Sequence, residues 1–316
     1  MSAAEFVTAF APASIGNLGV GFDMLGLAIA GVGDRVSARR TDRGGVTIKE
    51  VREPTGEIHP HLSGDARENT ASIAAASLWE ANGDAAGVEL IIYKGVPLQS
   101  GMGSSAASAV AAVVAVNALL EEPLATDALL AHAIAGERYA SGGLHADNVA
   151  PSLVGGMVLC PQVLLPGMVR LAVPRGVSSV LVHPEMQVNT AESRKGLART
   201  YSMEQWLAQQ GYLAGFIAAC AQNDIDLLGK CLRDELIEPQ RASAVPCFTA
   251  VKEAAMASAA LGCSLSGSGP SMFALCRDAA APNIASAMEQ ACRAMGYECQ
   301  SWISRLDAPG ARVESI

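Results

Sequence analysis

The stretch 97-PLQSGMGSSAASAVAAVVAVNALL-120 decides how this chain is read. It carries no charge, opens with Pro97, Gly101 and Gly103, passes the Ser104-Ser105 pair and then turns almost wholly aliphatic. From Ser104 to Leu120 it would form roughly 25 Å of helix, short of a hydrocarbon layer of about 30 Å. Seven of those positions are alanine and Asn117 interrupts the run, so no membrane span is expected. A buried helix of small side chains is expected over Ala107–Leu120, yet burial leaves 101-GMGSS-105 unexplained. Two glycines let backbone approach a ligand with no Cβ in the way. The unpaired amides of a helix's first turn point at whatever stands before them, and the helix dipole favours an anion there. The stretch therefore reads as an anion site at a helix start, with an ordinary glycine N-terminal loop as the plain alternative.

Two nucleotide motifs compete for it. Gly101-x-Gly103-x-x-Ala106 satisfies the dinucleotide fingerprint, with Glu121 near the expected offset. Its context is wrong: 97-PLQS-100 separates strand from glycines, and 121-EEP-123 is a helix end rather than the tip of a following strand. A Walker loop needs Gly-Lys-Ser/Thr, which occurs nowhere in the chain.

The 316 residues are half hydrophobic, enough for a large core and for two domains. A net charge of −9 disfavours a nucleic-acid partner, since phosphate backbones need a basic face; a local basic cluster still admits a small polyanion. The eight cysteines all lie from Cys160 onward without a CxxC pair or a zinc-spaced histidine, and the N-terminal residues lack an export signal. Reduced thiols in a cytoplasmic protein, with no structural metal or disulfide, are expected.

Along the chain, strands are expected at Phe6–Ala9, Gly31–Arg40, Val46–Glu50 and Val88–Lys94, and a helix at Ser72–Ala81. A helix from Thr126, as N-cap, to about Ala140 follows the uncharged one, and another strand follows Gly155-Gly156. The domain boundary is placed in the loop carrying Pro161 and Pro166, giving domains 1–163 and 164–316. The second half alternates strands (Ser179–His183, Ser271–Cys276, Cys299–Ser304) with helices (Met203–Gln222, Cys247–Leu261, Ala281–Met295), so the fold is α/β or α+β with mixed sheets.

A family resemblance carries the reading further. Pro-x-x-x-Gly-Met-Gly-Ser-Ser-Ala-Ala resembles the phosphate loop of the GHMP kinases, small-molecule kinases without a Walker loop. The segments 11-APASIGNLGVGFDMLGLA-28 and 262-GCSLSGSGPSMFAL-275 resemble the other two motifs of that superfamily, in the right order. Within it, 16-GNLGVGFDMLG-26, 143-GLHADNVAPSLVGG-156, 188-VNTAESR-194, 238-EPQR-241 and 306-LDAPGARV-313 resemble the homoserine kinase branch. Met102 and Ser271 replace the commoner Leu and Thr. The resemblance implies an α+β fold of two domains, an N-terminal ribosomal-protein-like βα domain and a C-terminal ferredoxin-like α/β sandwich, often dimeric. It implies ATP-dependent phosphorylation of the L-homoserine hydroxyl on the route to threonine, with Mg²⁺ and no membrane partner.

The residues make chemical sense of that activity, because phosphoryl transfer asks a protein mainly for positioning and charge neutralisation. Gly101, Met102, Gly103, Ser104, Ser105, Ala106 and Ala107 would wrap the ATP phosphates, and Pro97, Leu98, Gln99 and Ser100 before them would also bind ATP. By resemblance Ser105 and Glu137 hold Mg²⁺; by position alone Glu137, in a helix's last turn, reads as surface. Asn69 and Lys94 would lie on the adenine side, though Asn69 reads equally well as the cap of the helix after it. Homoserine, a zwitterion with a hydroxyl, needs three kinds of partner. Arg194 and Arg241 suit the carboxylate, as guanidinium forks can bind it with two parallel bonds; surface salt bridges are the plain alternative. Asp23, in an apolar setting, is the ammonium partner, and either substrate or a neighbouring Arg is expected beside it. Asn17, His145 and Thr190 complete the pocket by resemblance. Asn148 is expected to orient the hydroxyl, with Asp147 shaping the field, and 266-SGSGP-270 to steady the phosphate loop. A kinase of another alcohol such as mevalonate fits less well, since mevalonate has no ammonium for Asp23; a catalytically dead sensor of ATP or an amino acid is opposed by Ser105, Glu137 and Asn148.

Overall fold

The computed structural model describes residues 5–315. Its first sheet is laid down by β1 (Val7–Gly16), β2 (Leu25–Thr41), β3 (Gly45–Arg52), β4 (Gly87–Tyr93), β5 (Met157–Leu159) and β6 (Val169–Arg170). Between these strands come α1 (Thr70–Asn82), α2 (Ser104–Asn117), α3 (Leu130–Ser141) and α4 (Val149–Val154). A second sheet holds β7 (Val177–Pro184), β8 (Gly262–Leu265), β9 (Met272–Arg277) and β10 (Cys299–Arg305). Its helices are α5 (Thr190–Lys195), α6 (Met203–Gln222), α7 (Ile225–Cys231), α8 (Glu238–Arg241), α9 (Phe248–Ala257) and α10 (Ala281–Ala294). The last strand, β11 (Arg312–Ser315), returns to the first sheet and pairs with β1.

The first sheet runs β11-β1-β2-β4-β3, with β5 and β6 continuing from the early part of β2; β3 and β4 are parallel, the other pairs antiparallel. The second runs β10-β7-β9-β8, every pair antiparallel, with α5 to α9 between β7 and β8 and α10 between β9 and β10. That is the βαββαβ order of a ferredoxin-like sandwich, beside a mixed βα domain. The chain does not divide cleanly in sequence: β6 lies past residue 163 and β11 at the far C-terminus, yet both belong to the first sheet.

Period-2 patterning builds the layers of the second sheet. Leu181, Phe273 and Leu275 face a core shared with Ile15, Leu25 and Leu27 of the first sheet and Phe216 of α6. Their neighbours Val180, Val182, Met272 and Ala274 face α9 and α10. A third core packs α1, α2 and α3 on β1, β2 and β4. There α2 is buried on nearly every face, which its alanines permit by letting helices and strands approach closely.

The departures from the sequence reading have local causes. β1 runs on to Gly16 through 11-APASIG-16, because a strand buried on both sides can use Ala and Ser despite their low strand propensity. Thr126 does not cap a helix: a 3₁₀ turn spans Thr126–Leu129 with Ala125 ahead of it, and α3 begins at Leu130. The helix expected to reach Leu261 stops at Ala257, and Ala259 turns with φ 67°. The short elements α4, α5, α7, α8, β6, β8 and β11 offer too few residues for periodicity to mark them. The eight cysteines are free thiols, seven of them buried. No helix among the described residues is long and apolar enough to cross a membrane.

Gly136 of α3 marks the tightest helix contact: a Cβ there would stand 2.3 Å from the Thr70 carbonyl oxygen. Alanine normally gains about 1 kcal/mol over glycine inside a helix, but backbone cannot yield cheaply. Gly136→Ala is expected to lose about 1–3 kcal/mol and to melt several degrees lower by circular dichroism. An unchanged or raised melting temperature would show that α1 and α3 separate freely.

Candidate active site

The loop between β4 and α2 borders a cavity of about 520 Å³. Its shape demands glycine at two points. Gly101 has φ 76°, and a Cβ on it would lie 2.4 Å from the Ser266 carbonyl oxygen; Gly103 has φ 67°, and a Cβ would lie 2.4 Å from Ser14 Oγ. Gly103 is also the N-cap of α2, which has no side-chain cap bond. No side chain therefore competes for the first-turn amides where Gly103, Ser104 and Ser105 line the cavity.

Both sheets brace this loop. Ser266 Oγ donates to the Gly101 carbonyl at 2.6 Å, and the Ser271 amide to Ser100 at 3.1 Å. The Val188 amide donates to the Gln99 carbonyl at 3.2 Å, and Ser14 to that of Met102 at 3.0 Å. Thus 266-SGSGP-270 lies against the loop. Leu98, Gln99, Ser100, Gly101, Gly103, Ser104 and Ser105 line the cavity. Pro97 is not in its lining, while Met102, Ala106 and Ala107 point inward as core. Met102 serves as an anchor, and any part for the two alanines falls to their backbone.

Asn69 unites its two readings: its side chain accepts from the Ala71 amide at 3.0 Å as the cap of α1, and it lines the cavity beside Glu68 and Leu62. Lys94 lines the cavity too, but its ammonium is committed. It pairs with the fully buried Asp34 and donates to the Ser104 carbonyl at 2.9 Å and to Ser108 Oγ at 2.8 Å. Asp34 also accepts from the amides of Gly95 and Val96. Lys94 thereby holds the start of α2 to β2 rather than offering a free charge. Sequence reasoning missed Asp34, although a lone acid inside the strand 31-GVGDRVS-37 was a usable signal.

Ser105 Oγ donates to Glu137 Oε2 at 2.6 Å, and both line the cavity. Glu137 is only 9% exposed, so the surface reading falls. Burial pushes its carboxyl up to about 7 against the lowering effect of the Ser105 bond, and nearby Asp147 pushes the same way. A hard oxygen pair of this kind, unfavourable as a buried anion, suits a hard divalent cation. The described residues contain no cluster of three His, Cys, Asp or Glu ligands, so such a cation would take its other ligands from phosphate and water.

The remaining predicted residues gather at the other end. Asp23 accepts both arms of Arg194, at 2.6 and 2.8 Å, and His145 Nδ1 stands 3.5 Å away. Burial holds His145 below its ordinary value, against the raising effect of Asp23, which favours the neutral ring. Arg241, 4% exposed, donates to the Gly267 carbonyl at 3.0 Å, while its Nε has no hydrogen-bond partner among the described residues. Burial, and then the charge of Arg194, lower its pKa. Asn17, with φ 65°, donates to the same Gly267 carbonyl and accepts the Asp23 amide, each at 3.0 Å. Thr190 and Ser268 share a hydroxyl contact of 3.1 Å. Asn148, Thr190, Gly267 and Ser268 line the cavity; Asp23, Arg194 and Arg241 do not, and are joined to it through Gly267 and the 145-HADN-148 turn.

Asn148 sits where the two ends meet. Ser14 Oγ donates to its Oδ1 at 3.0 Å, and a Cβ on Gly16 would touch its Nδ2 at 2.7 Å and Asp147 Oδ2 at 2.8 Å. Asp147 accepts the Asn17 amide at 3.1 Å; burial and then the charge of Asp23 push its carboxyl up to about 7. Sequence reasoning missed Ser14, Ser108 and Phe22, residues whose types carry no chemical signal alone.

Comparison with known proteins agrees with this geometry. The profile described as GHMP kinases N terminal domain matches residues 69–156, and GHMP kinases C terminal matches 216–294. A homoserine kinase of Xanthomonas campestris is 45% identical over 306 residues, 96% of this chain and 93% of its own length. One of Chlorobium phaeobacteroides is 38% identical over 317 residues, covering 97% and 99%. The crystal structure of homoserine kinase from Cytophaga hutchinsonii superposes with a TM-score of 0.91 at 39% identity, covering 99% of this chain and 98% of that one. Lactococcus lactis galactokinase shares the fold, with a TM-score of 0.70 at 16% identity. With its glycine-capped helix start, its paired guanidiniums and these relatives over nearly its whole length, the chain belongs to the homoserine kinase family of the GHMP kinases.

Proposed function

We propose that this chain transfers the γ-phosphoryl group of ATP to the hydroxyl of L-homoserine, giving ADP and O-phospho-L-homoserine in the synthesis of threonine. The carrying observation is that Asn148 stands between an anion-ready helix start and a cluster of one carboxylate and two guanidiniums. The first suits a triphosphate; the second suits a zwitterion. Relatives named homoserine kinase support the choice of amino acid, and the same reading makes the enzyme a cytoplasmic homodimer.

In this reading the amides of Gly103, Ser104 and Ser105 hold the phosphates, and the wall around Asn69 and Leu98 takes the nucleoside. Ser105 and Glu137 hold Mg²⁺, which supplies neutralising charge to the phosphates. L-Homoserine exchanges partners with the resting pair: its ammonium takes Asp23, and its carboxylate takes Arg194 and Arg241. Asn17, His145 and Thr190 border the bound amino acid. Asn148 orients the hydroxyl for attack. Its Oδ1 already accepts from Ser14, so its Nδ2 faces the incoming oxygen. A loose transition state asks for little activation of the nucleophile, and Asp147 shapes the field without taking the proton early.

Release of ADP, coupled to a spectroscopic readout with Mg²⁺ present, is expected to be fastest with L-homoserine among L-homoserine, L-serine, L-threonine and mevalonate. Release independent of any acceptor, or a preference for mevalonate, would overturn the assignment. Asp147 gives a second test. A carboxyl raised from 3.8 to about 7 in the folded chain costs nothing below pH 3.8. The cost grows between these two values and levels off above them, reaching at most roughly 4 kcal/mol. Asp147→Asn is therefore expected to match the parent at pH 4 and to exceed it in urea stability at pH 8, while keeping turnover within about tenfold. Loss of turnover with homoserine binding intact would make Asp147 the base.

A further inference from the structure

We propose that Phe22 is a positioning residue that sets selectivity for an α-carboxylate, by holding Arg194 and Arg241 together over one aromatic ring; this rests on the substrate reading above. The guanidinium carbons of Arg194 and Arg241 lie 5.3 and 5.2 Å from the centre of that ring. Two like charges sharing a neighbour repel, and of the two arginines only Arg194 is hydrogen-bonded to Asp23. That carboxylate accepts both arms of Arg194, whereas Arg241 has the Gly267 carbonyl and an Nε without a hydrogen-bond partner among the described residues. Burial first, and then the charge of Arg194, lower the basicity of Arg241, while Asp23, Asp147 and Asp234 oppose them from a distance.

The negative face of a phenyl ring attracts cations, and both guanidiniums lie over this one ring. Its place is fixed by the backbone. Phe22 lies in the turn after Asn17 and Leu18, both with positive φ, and Asn17 Oδ1 accepts the amide of Asp23 just beyond it. When a ligand ammonium takes Asp23, Arg194 gives up its carboxylate partner. The ring and the ligand's own carboxylate are then what hold the two cations side by side. A ligand lacking the carboxylate gains nothing from that pairing and brings no charge of its own to set against the two guanidiniums. Selectivity is a difference between two affinities, and Phe22 raises it by keeping the dication assembled for the right ligand.

The test uses the full chain with Phe22→Leu, which keeps apolar bulk and removes the π face. Dissociation constants for L-homoserine and for 3-aminopropan-1-ol, which lacks only the carboxylate, are measured by calorimetry with a non-hydrolysable ATP analogue present. Phe22→Leu is expected to weaken L-homoserine roughly tenfold and to leave the amino alcohol within about twofold, with the KM for ATP unchanged. Phe22→Trp should retain the discrimination. Pentafluorophenylalanine installed at position 22 keeps the shape and reverses the ring's charge distribution, so it should behave like leucine and serves if Phe22→Leu folds poorly. Equal weakening of both ligands, or parental selectivity with the fluorinated ring, would overturn the inference and leave Phe22 as loop packing. ADP release by the parent chain, run alongside, separates the two failures. If L-homoserine does not stimulate it, the function assignment falls and the inference with it. If it does while the selectivity of Phe22→Leu is parental, the inference alone falls.

Discussion

The structure depends on keeping the first amides of α2 bare at the edge of a dry interior. A helix start normally finishes itself with a side-chain cap, and here Gly103 offers none. The unsatisfied turn is instead held from outside. Lys94 ties the Ser104 carbonyl and Ser108 to Asp34 on β2, Ser14 of β1 ties Met102, and the 266-SGSGP-270 turn ties Ser100 and Gly101. The loop is thus fixed by both sheets, so the fold of the whole chain, not the loop sequence alone, presents it. The C-terminal segment returns to the first sheet as well: 306-LDAPGARV-313 closes over Gly155 and Gly156, with the Gly156 amide donating to the Ala308 carbonyl at 2.8 Å.

Charge around the cavity follows a consistent logic. Lys94 is the one Lys or Arg in the cavity lining among the described residues, and Asp34 already neutralises it. Glu137 and Asp147 stand nearby with carboxyls pushed up to about 7. A polyanion entering here meets backbone dipoles and reluctant acids, not free side-chain cations. In the proposed reading a divalent cation at Ser105 and Glu137 would offset its charge, in a chain whose net charge is −9. The acidic global field and the anionic ligand are reconciled at a single pair of oxygens.

Much of this was legible in the sequence, because a helix start that must bind an anion needs Gly and Ser at fixed positions and leaves them visible in an uncharged run. Gly101, Gly103 and Ser105 were readable there, whereas Glu137 came only from the family resemblance; the structure places Ser105 and Glu137 2.6 Å apart. What stayed hidden is support from residues without a chemical signature. Ser14 looks like any serine in an alanine-rich strand, and Phe22 like any core aromatic, until long-range packing brings Asn148 to one and two arginines to the other. Lys94 shows the converse. Its position beside the loop was foreseen, but its role depended on Asp34, 60 residues away in sequence, and a lysine's partner cannot be read from its own neighbourhood. Alternating elements narrowed the fold to α/β or α+β and the family resemblance chose between them; the far end of β1 escaped because burial on both faces overrides propensity, and the short helices because they are too short to show a period.

The arrangement around Asn148 also decides what the protein has to contribute to the chemistry. A base that strips the hydroxyl early must be ionised, close and free to accept. Asp147 is buried, its carboxyl is pushed up to about 7 by burial and then by the charge of Asp23, and one of its oxygens accepts the Asn17 amide. Asn148 meets a different need. Ser14 donates to its oxygen and Gly16 lies against its amide, contacts that restrict where the side chain can point. In a loose transfer the hydroxyl turns acidic only as its bond to phosphorus forms, so the proton can leave late, to phosphate oxygen or solvent. In the proposed transfer aim would then matter more than basicity, and the setting of Asn148 between β1 and the phosphate loop would supply it.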